Sequence, residues 1–252
     1  MKKTVLIAGV FFALLFFYAC KKQSETYNTP PLSDYFPLQT GKYVIYTLDS
    51  INFLYLHVDT TVYQVEYYTD STFTDNLGRT AYMIIRYIRT DSTQPWTADN
   101  TFAAINTGNT IEWDENNFRF LKLVEPISEG YSWPGNTYID ATSFSSDAPY
   151  LYGWTYSYDS LNVPMIINGT VVDSTIKVNE ADQIDTSSNI NTFTQSIYSA
   201  ENYAKGIGLV YRNFLYEQYQ PPTYDTVNNV PVQETAPYYT GYGVILTMVS
   251  HN

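Results

Sequence analysis

FLYLHVDTTVYQVEYY, residues 53–68, reads as one long β-strand or a strand interrupted by a bulge. Tyr55, His57, Asp59, Thr61, Tyr63, Val65 and Tyr67 share one face, and Leu56, Val58, Thr60 and Val62 share the other, more apolar one. Successive side chains of a strand point to opposite faces, so this period of two is the signature of a half-buried sheet. Asp75-Asn76-Leu77-Gly78 follows as a turn. Beyond it Ala81 to Arg89 alternates again, with Tyr82, Ile84, Arg86 and Ile88 opposite Met83, Ile85 and Tyr87, so the two runs form a long hairpin. Upstream, Lys42 to Leu48 is a first strand, and Asp49-Ser50 reads as the turn that separates it from the long one.

The same texture continues to the end of the chain. Thr110–Trp113 and Phe118–Leu123 flank Asp114-Glu115-Asn116-Asn117, a hairpin turn. Residues 126–137 are a loop, and Thr137–Phe144, Leu151–Tyr158 and Met165–Val178 read as strands, with a bulge or turn at Asn168-Gly169. Residues 180–190, which include Asp182, Asp185 and Ser187-Ser188, are polar and read as a loop or short helix. Thr192–Tyr203 and Leu209–Arg212 are strands joined through Gly206 and Gly208, which admit positive φ at a tight turn. Residues 220–237 carry four prolines and read as a long loop; Gly243–Val249 is a nearly continuous apolar run, expected to be a central strand. No segment keeps the 3.6 period of an amphipathic helix, and no repeat has a fixed length. The expected fold is all-β: a single antiparallel, twisted meander curling into a half-barrel or a two-layer sandwich.

Composition narrows the function classes. The 252 residues carry a net charge of -12. That balance removes the electrostatic basis for nucleic-acid binding. It also opposes lying flat on an anionic membrane. The 26 tyrosines, 13 phenylalanines and 4 tryptophans are spread along the whole chain, which fits a large sheet built with Tyr; an aromatic platform for sugars or peptides is the functional alternative.

The N-terminus has a signal architecture. Lys2 and Lys3 precede the apolar run Val5–Phe17, then Tyr18-Ala19-Cys20-Lys21-Lys22. The run is shorter than the ~20 apolar residues that cross a bilayer, and Ala19 is the small residue a signal peptidase needs beside its cut. Cys20 is the only cysteine, so disulfides are excluded and stability falls to the core. Residues 1–19 are then expected to be a signal peptide, 20–34 the cysteine and a flexible tether with a reach of about 20 Å, and 35–252 one all-β domain.

Ala19-Cys20 resembles the lipobox of bacterial lipoproteins, although Phe17 and Tyr18 stand where that pattern usually has Leu and a small residue. Together with Phe36-Pro37-Leu38, Gly41-Lys42-Tyr43 and Tyr203-Ala204-Lys205-Gly206-Ile207-Gly208-Leu209-Val210, it makes the chain similar to uncharacterised lipoproteins of Bacteroidota. The resemblance implies lipid attachment at Cys20 and a membrane partner through that anchor. The expected location is the cell envelope, in the outer membrane, with the periplasmic or surface face left open. It transfers no catalytic residue. Eight of the fifteen aspartates precede Ser or Thr, and seven of these hydroxyl residues (Ser50, Thr60, Ser71, Ser92, Ser160, Ser174 and Thr226) sit in a pattern similar to the O-glycosylation acceptor of Bacteroidota. Ordinary Asx turns between strands account for the same pattern.

Catalytic chemistry has little to stand on. An acylated Cys20 is no nucleophile, and the two histidines, His57 and His251, leave no basis for a zinc site or a Ser-His-Asp triad. Glu112, Asp114 and Glu115, and Glu125 with Glu129, are close enough in sequence to supply a carboxylate pair for glycan hydrolysis. Asp70, Asp75 and Asn76 lack the EF-hand spacing. The sequence therefore implies no cofactor and no metal. It leaves three functional classes: a non-enzymatic envelope lipoprotein that binds a glycan or an envelope protein, a carboxylate-based glycan hydrolase, and a carrier of an apolar ligand.

Overall fold

A computed structural model describes residues 29–143, 145–146, 148–184, 189–227 and 230–252. The expected signal peptide, Cys20 and most of the expected tether lie outside the described residues, as do Asp185 and Ser187-Ser188. Twelve strands form one antiparallel sheet in the order β6-β5-β4-β3-β2-β1-β14-β11-β10-β9-β8-β7, and β12 and β13 form a separate hairpin. The first arm comprises β1 (Tyr43–Leu54), β2 (His57–Thr74), β3 (Thr80–Arg89), β4 (Thr97–Asn106), β5 (Thr110–Glu115) and β6 (Phe118–Val124). The second comprises β7 (Ser132–Trp133), β8 (Tyr156–Ile167), β9 (Thr170–Gln183), β10 (Thr194–Ala204) and β11 (Gly208–Gln220). After the β12 (Thr223–Val227) and β13 (Val230–Thr235) hairpin, β14 (Tyr238–His251) inserts between β1 and β11.

The sheet curls into a nearly closed barrel, the half-barrel expectation taken further. Its two outer strands meet. Leu121 N donates to Gly135 O at 2.6 Å, Trp133 Nε1 donates to Leu121 O at 2.8 Å, and the Tyr158 hydroxyl donates to Val124 O at 2.8 Å while accepting from Val124 N. These bonds satisfy edge groups of β6 that would otherwise offer a pairing template.

Several boundaries differ from expectation. Asp49 and Ser50 sit inside β1, paired with Val62 and Thr61; the turn is Tyr55-Leu56, where Leu56 takes φ 64°. The Asp-Ser turn signal is overridden because continuing β1 pairs it with both β2 and β14. The face of β2 that reads as the more apolar points outward, with Val58 and Val62 exposed, while Val65 is fully buried. Thr97–Asn106 is a strand that the sequence reading passed over. Thr137–Phe144 is not a strand among its described residues: Thr137 N and Ile139 N close turns onto Pro134 O and Asn136 O. Asn168-Gly169 is a hairpin turn with both residues at positive φ. The proline-bearing segment 220–237 contains the β12–β13 hairpin, with Pro231 in a two-stranded ribbon, where each strand is an edge and a missing N–H is tolerated.

Up-and-down parity gives the barrel two ends. The chain enters the lower end through α1 (Leu32–Tyr35), where Leu32 and Tyr35 are each 1% exposed, so packing begins three residues inside the expected tether. Asp34 ties this entry to the β10–β11 turn, accepting from Gly206 N at 2.6 Å and pairing with Lys205 at 3.0 Å. Phe36 plugs the lower end against Trp113 and Tyr203. The upper end carries the β1–β2, β3–β4 and β5–β6 turns, the long β7–β8 connection, and the β12–β13 ribbon. Among the described residues no helix is long and apolar enough to cross a membrane.

Candidate functional site

The inward positions of a barrel strand are every second residue. Ile197, Ser199, Glu201 and Tyr203 occupy them on β10, and all four are buried. Arg212, paired with Glu201 across the β10–β11 ladder, comes from β11. Two further ionic groups stand at bulges while keeping the inward parity of their strands, Lys122 with Phe118 and Phe120, and Glu180 with Ile176 and Val178. Leu121 pairs with Glu112 and Leu123 with Ile111, so Lys122 is the extra residue of a bulge in β6. Ala181 pairs with Ser199 and Asn179 with Ala200, so Glu180 is the extra residue of a bulge in β9. Each bulge shifts the alternation beyond it without ending the strand, so Leu123 and Ala181 are buried beside Lys122 and Glu180.

These groups converge in the lumen. Lys122 Nζ donates to Glu180 Oε1 at 2.7 Å and to Glu201 Oε1 at 2.8 Å. Ser199 Oγ donates to Glu180 Oε2 at 2.6 Å, and the Tyr203 hydroxyl donates to Glu201 Oε2. Arg212 lies 3.5 Å from Glu115 Oε2 and 3.6 Å from Glu201 Oε1. Lys122, Glu180 and Glu201 are 5%, 1% and 2% exposed, which makes this a desolvated ion cluster.

Its members titrate apart. Burial pushes the Glu180 carboxyl up, and the charge of Glu201 pushes it further than Lys122 can offset. Burial also acts on Glu201, but Lys122, Arg212 and the hydrogen bonds from Lys122 and Tyr203 outweigh it and hold that carboxyl below its ordinary value. Burial opposes the Lys122 ammonium, and the two carboxylates more than restore it.

The cluster separates two chambers. The lower, about 80 Å³, is lined by Phe36 and Leu38 and opens beside Lys42 and Tyr43. The upper, about 260 Å³, reaches the surface beside Asn116 and Tyr242, both exposed. Tyr150 and Trp154 of the β7–β8 connection, with Tyr156 and Phe214, form its aromatic wall; Lys122, Glu180 and Arg212 form its floor. Two polar atoms of those residues, Trp154 Nε1 and Tyr156 Oη, are buried with no hydrogen-bond partner in the protein; Arg212 Nε also makes no hydrogen bond, its 3.6 Å contact with Glu201 Oε1 being ionic.

The carboxylates expected to act as pairs are dispersed. Glu112 faces away from the upper chamber and is bound bidentately by Arg79 at 2.9 Å through both contacts, with Arg119 at 3.3 Å. Asp114 pairs with Arg119, and Glu115 alone of the three lines the chamber. Glu125 and Glu129 sit at the lower end, in the β6–β7 connection. Asp75 is held by Arg79; among the described residues no group of three or more His, Cys, Asp or Glu is placed to hold a metal ion. His57 is exposed at the start of β2, not half-buried within a strand.

Of the hydroxyl residues with the acceptor-like pattern, only Ser92 lies in a turn, where Asp91 accepts from Thr93 N at 2.8 Å. Ser50, Thr60, Ser71, Ser160, Ser174 and Thr226 lie within strands. Thr60, Ser92 and Thr226 are exposed, and the other four are half-buried.

The fold and site define a class: a nearly closed antiparallel barrel with an ion cluster across its lumen and an aromatic chamber above it. No family model, curated protein or solved structure matches the chain.

Proposed function

We propose that the chain is a non-enzymatic cell-envelope lipoprotein that holds a ligand in the upper chamber of its barrel. One observation carries this reading: the chamber lies at the end of the barrel opposite α1, where the described chain enters. An acyl anchor at Cys20 then places the lower end toward the bilayer and the mouth away from it, free to meet a ligand. A concave chamber with aromatic walls and a few convergent polar groups is the usual form of a binding site.

The hydrolase alternative rests on Glu115 and Glu180 lining one chamber. Both oxygens of Glu180 are already engaged, by Lys122 and Ser199, and Glu115 Oε2 faces Arg212 and Trp113 Nε1. Neither is poised to protonate a leaving oxygen or to attack a sugar carbon. The charged floor likewise disfavours an apolar-ligand carrier.

Two experiments test the reading. Metabolic labelling with a fatty-acid probe should tag the native protein and not a Cys20→Ala variant, which should leave the membrane fraction; an untagged native protein removes the anchor. Separately, fractions of the protein's own envelope should raise the melting temperature of the purified domain, because a ligand that binds only the folded state stabilises it by mass action. If no fraction does so, the lumen is not a binding site.

A further inference from the structure

We propose that the free edge of β2, His57–Tyr63, pairs with the same edge of a second copy of this chain, antiparallel and two-fold symmetric about Thr60.

β2 outruns its outer neighbour. Its pairing with β3 starts at Gln64 and Arg89, whereas its pairing with β1 continues to His57 and Leu54. His57–Tyr63 therefore has β1 on one side and, among the described residues, no strand on the other. The Tyr55-Leu56 turn fixes which backbone groups are free. Leu54 and His57 flank a two-residue turn and form a hydrogen-bonded pair, and such pairs recur at every second position. His57, Asp59, Thr61 and Tyr63 thus spend their N–H and C=O groups on β1. Val58, Thr60 and Val62 direct theirs to the open side. Residues 57–62 are all exposed.

Other open edges of this sheet are protected. β6 is bonded to Gly135 O, Trp133 Nε1 and the Tyr158 hydroxyl. β8 carries Pro164 and three register shifts against β9, and β13 carries Pro231. Prolines, bulges and charge are the usual means of blocking edge-to-edge pairing. His57–Tyr63 has no proline, no lysine and no register shift against β1, and its one acid is Asp59. Val58, Thr60, Thr61, Val62 and Tyr63 are all residue types that favour strands.

The residues along the edge match their own reverse. With Thr60 at the axis, Val58 faces Val62 of the second copy, Thr60 faces Thr60 of the second copy, and Asp59 faces Thr61 of the second copy. No like charges are directly opposed, and β-branched and Thr–Thr pairs are favourable cross-strand neighbours. Val58 and Val62, 57% and 53% exposed, would cover each other. Thr60 is also the midpoint of His57–Tyr63, so this register uses the whole free edge; any other runs into Arg89 or the turn. The contact is isologous, the form that closes as a dimer. Seven residues make a ladder of about 24 Å at ~3.4 Å per residue, a small contact, so the pair is reversible. Each copy carries a net charge of -12, which opposes association at low salt and is screened at physiological ionic strength.

Antiparallel pairing points the two barrels in opposite directions, upper end toward upper end. The pairing itself does not depend on the anchor; with the anchor in place, the two copies approach from facing surfaces and not side by side in one leaflet.

The test is sedimentation velocity of the intact chain from micromolar to millimolar concentration, where a dimer that grows with concentration is expected. Val58→Lys with Val62→Lys sets lysines opposite one another and should weaken it at least about tenfold, without lowering the melting temperature, because both positions are exposed. Val171→Lys, exposed on the β8–β9 hairpin, should leave the dimer intact. On a Cys20→Ala background, Thr60→Cys should form a disulfide between copies, since hydrogen-bonded antiparallel partners lie about 5.5 Å apart at Cα; Asp59→Cys should not. A chain that stays monomeric up to about 1 mM would overturn the proposal, as would a dimer unmoved by the two lysines. Cross-linking through Asp59→Cys and not Thr60→Cys would overturn the register. Val58, Thr60 and Val62 amides that exchange fast in the purified protein and are protected only in its own envelope extract would assign the edge to a different protein and overturn self-pairing.

Discussion

Replacing Lys122 by Met removes the ammonium that Glu180 and Glu201 share and keeps a side chain of similar length. At the observed 2.7 and 2.8 Å, each pair is worth about 6 kcal/mol of gross attraction at an effective dielectric of ~20. Most of that offsets the desolvation of three ions. Removing one partner exposes the remainder: two carboxylates stay buried with Arg212 as the nearest cation, and such losses run to about 3–5 kcal/mol. Set against a total stability of about 5–15 kcal/mol, the variant should fold poorly at neutral pH. In the wild type the two carboxyls pull opposite ways. Glu180 is raised, so its contribution favours folding below the unfolded value of about 4.3 and is lost as pH rises through its folded value. Glu201 is lowered, so its contribution is present above that value and lost as pH falls through its folded one. Without Lys122 both carboxyls are raised, the two slopes add, and the deficit should shrink on acidification. Urea unfolding followed by tryptophan emission, at neutral pH and near the carboxylate range, measures this. The triple variant Lys122→Met, Glu180→Gln, Glu201→Gln should regain most of the loss. A single variant matching the wild-type midpoint at neutral pH, or one whose deficit grows in acid, would refute the reasoning.

Leu56→Gly should stabilise the domain by about 0.5–1 kcal/mol, read as a higher melting temperature: it relieves the positive φ of an exposed leucine, less the extra entropy of glycine in the unfolded chain. Gly241→Ala should destabilise by at least about 2 kcal/mol in urea, since its Cβ would stand 2.0 Å from Tyr216 O at φ 136°. Arg79→Lys should cost about 1–2 kcal/mol, because an ammonium cannot reproduce the paired contacts to both oxygens of Glu112.

The all-β class was legible because alternation at period two runs through most of the chain, and the central place of β14 followed from its apolar run. Turns were less legible. Asp49-Ser50 has turn chemistry yet sits in a strand, and Tyr55-Leu56 has none yet makes the turn, since pairing on both sides of β1 outweighs local preference. The outward face of β2 was misread because the lumen is lined by tyrosine and charge, so the inner face is not the more apolar one. The ion cluster was hidden for a related reason. Lys122 continues the inward positions of Phe118 and Phe120, and Glu180 those of Ile176 and Val178, but a charged residue at the end of an apolar alternation reads as the point where a strand leaves the core. Glu201 did carry a signal: with Ser199 and Tyr203 it continues the buried face of Ile197, a polar run on an apolar face. Trp154 and Tyr156 belonged to a strand expected over Leu151–Tyr158, but Trp154 comes from the connection that folds over the mouth.

The placement of β14 has a consequence for biogenesis. Its partners are the first strand and the eleventh, so the continuous ladder between the two arms of the meander is completed by a segment that follows both of them in the chain. Until then β1 and β11 each present an unpaired edge, and closure depends on contacts of very long sequence separation, which form slowly. A chain lacking Tyr238–His251 would leave both of those edges open, as two half-sheets with ready templates for pairing with other chains.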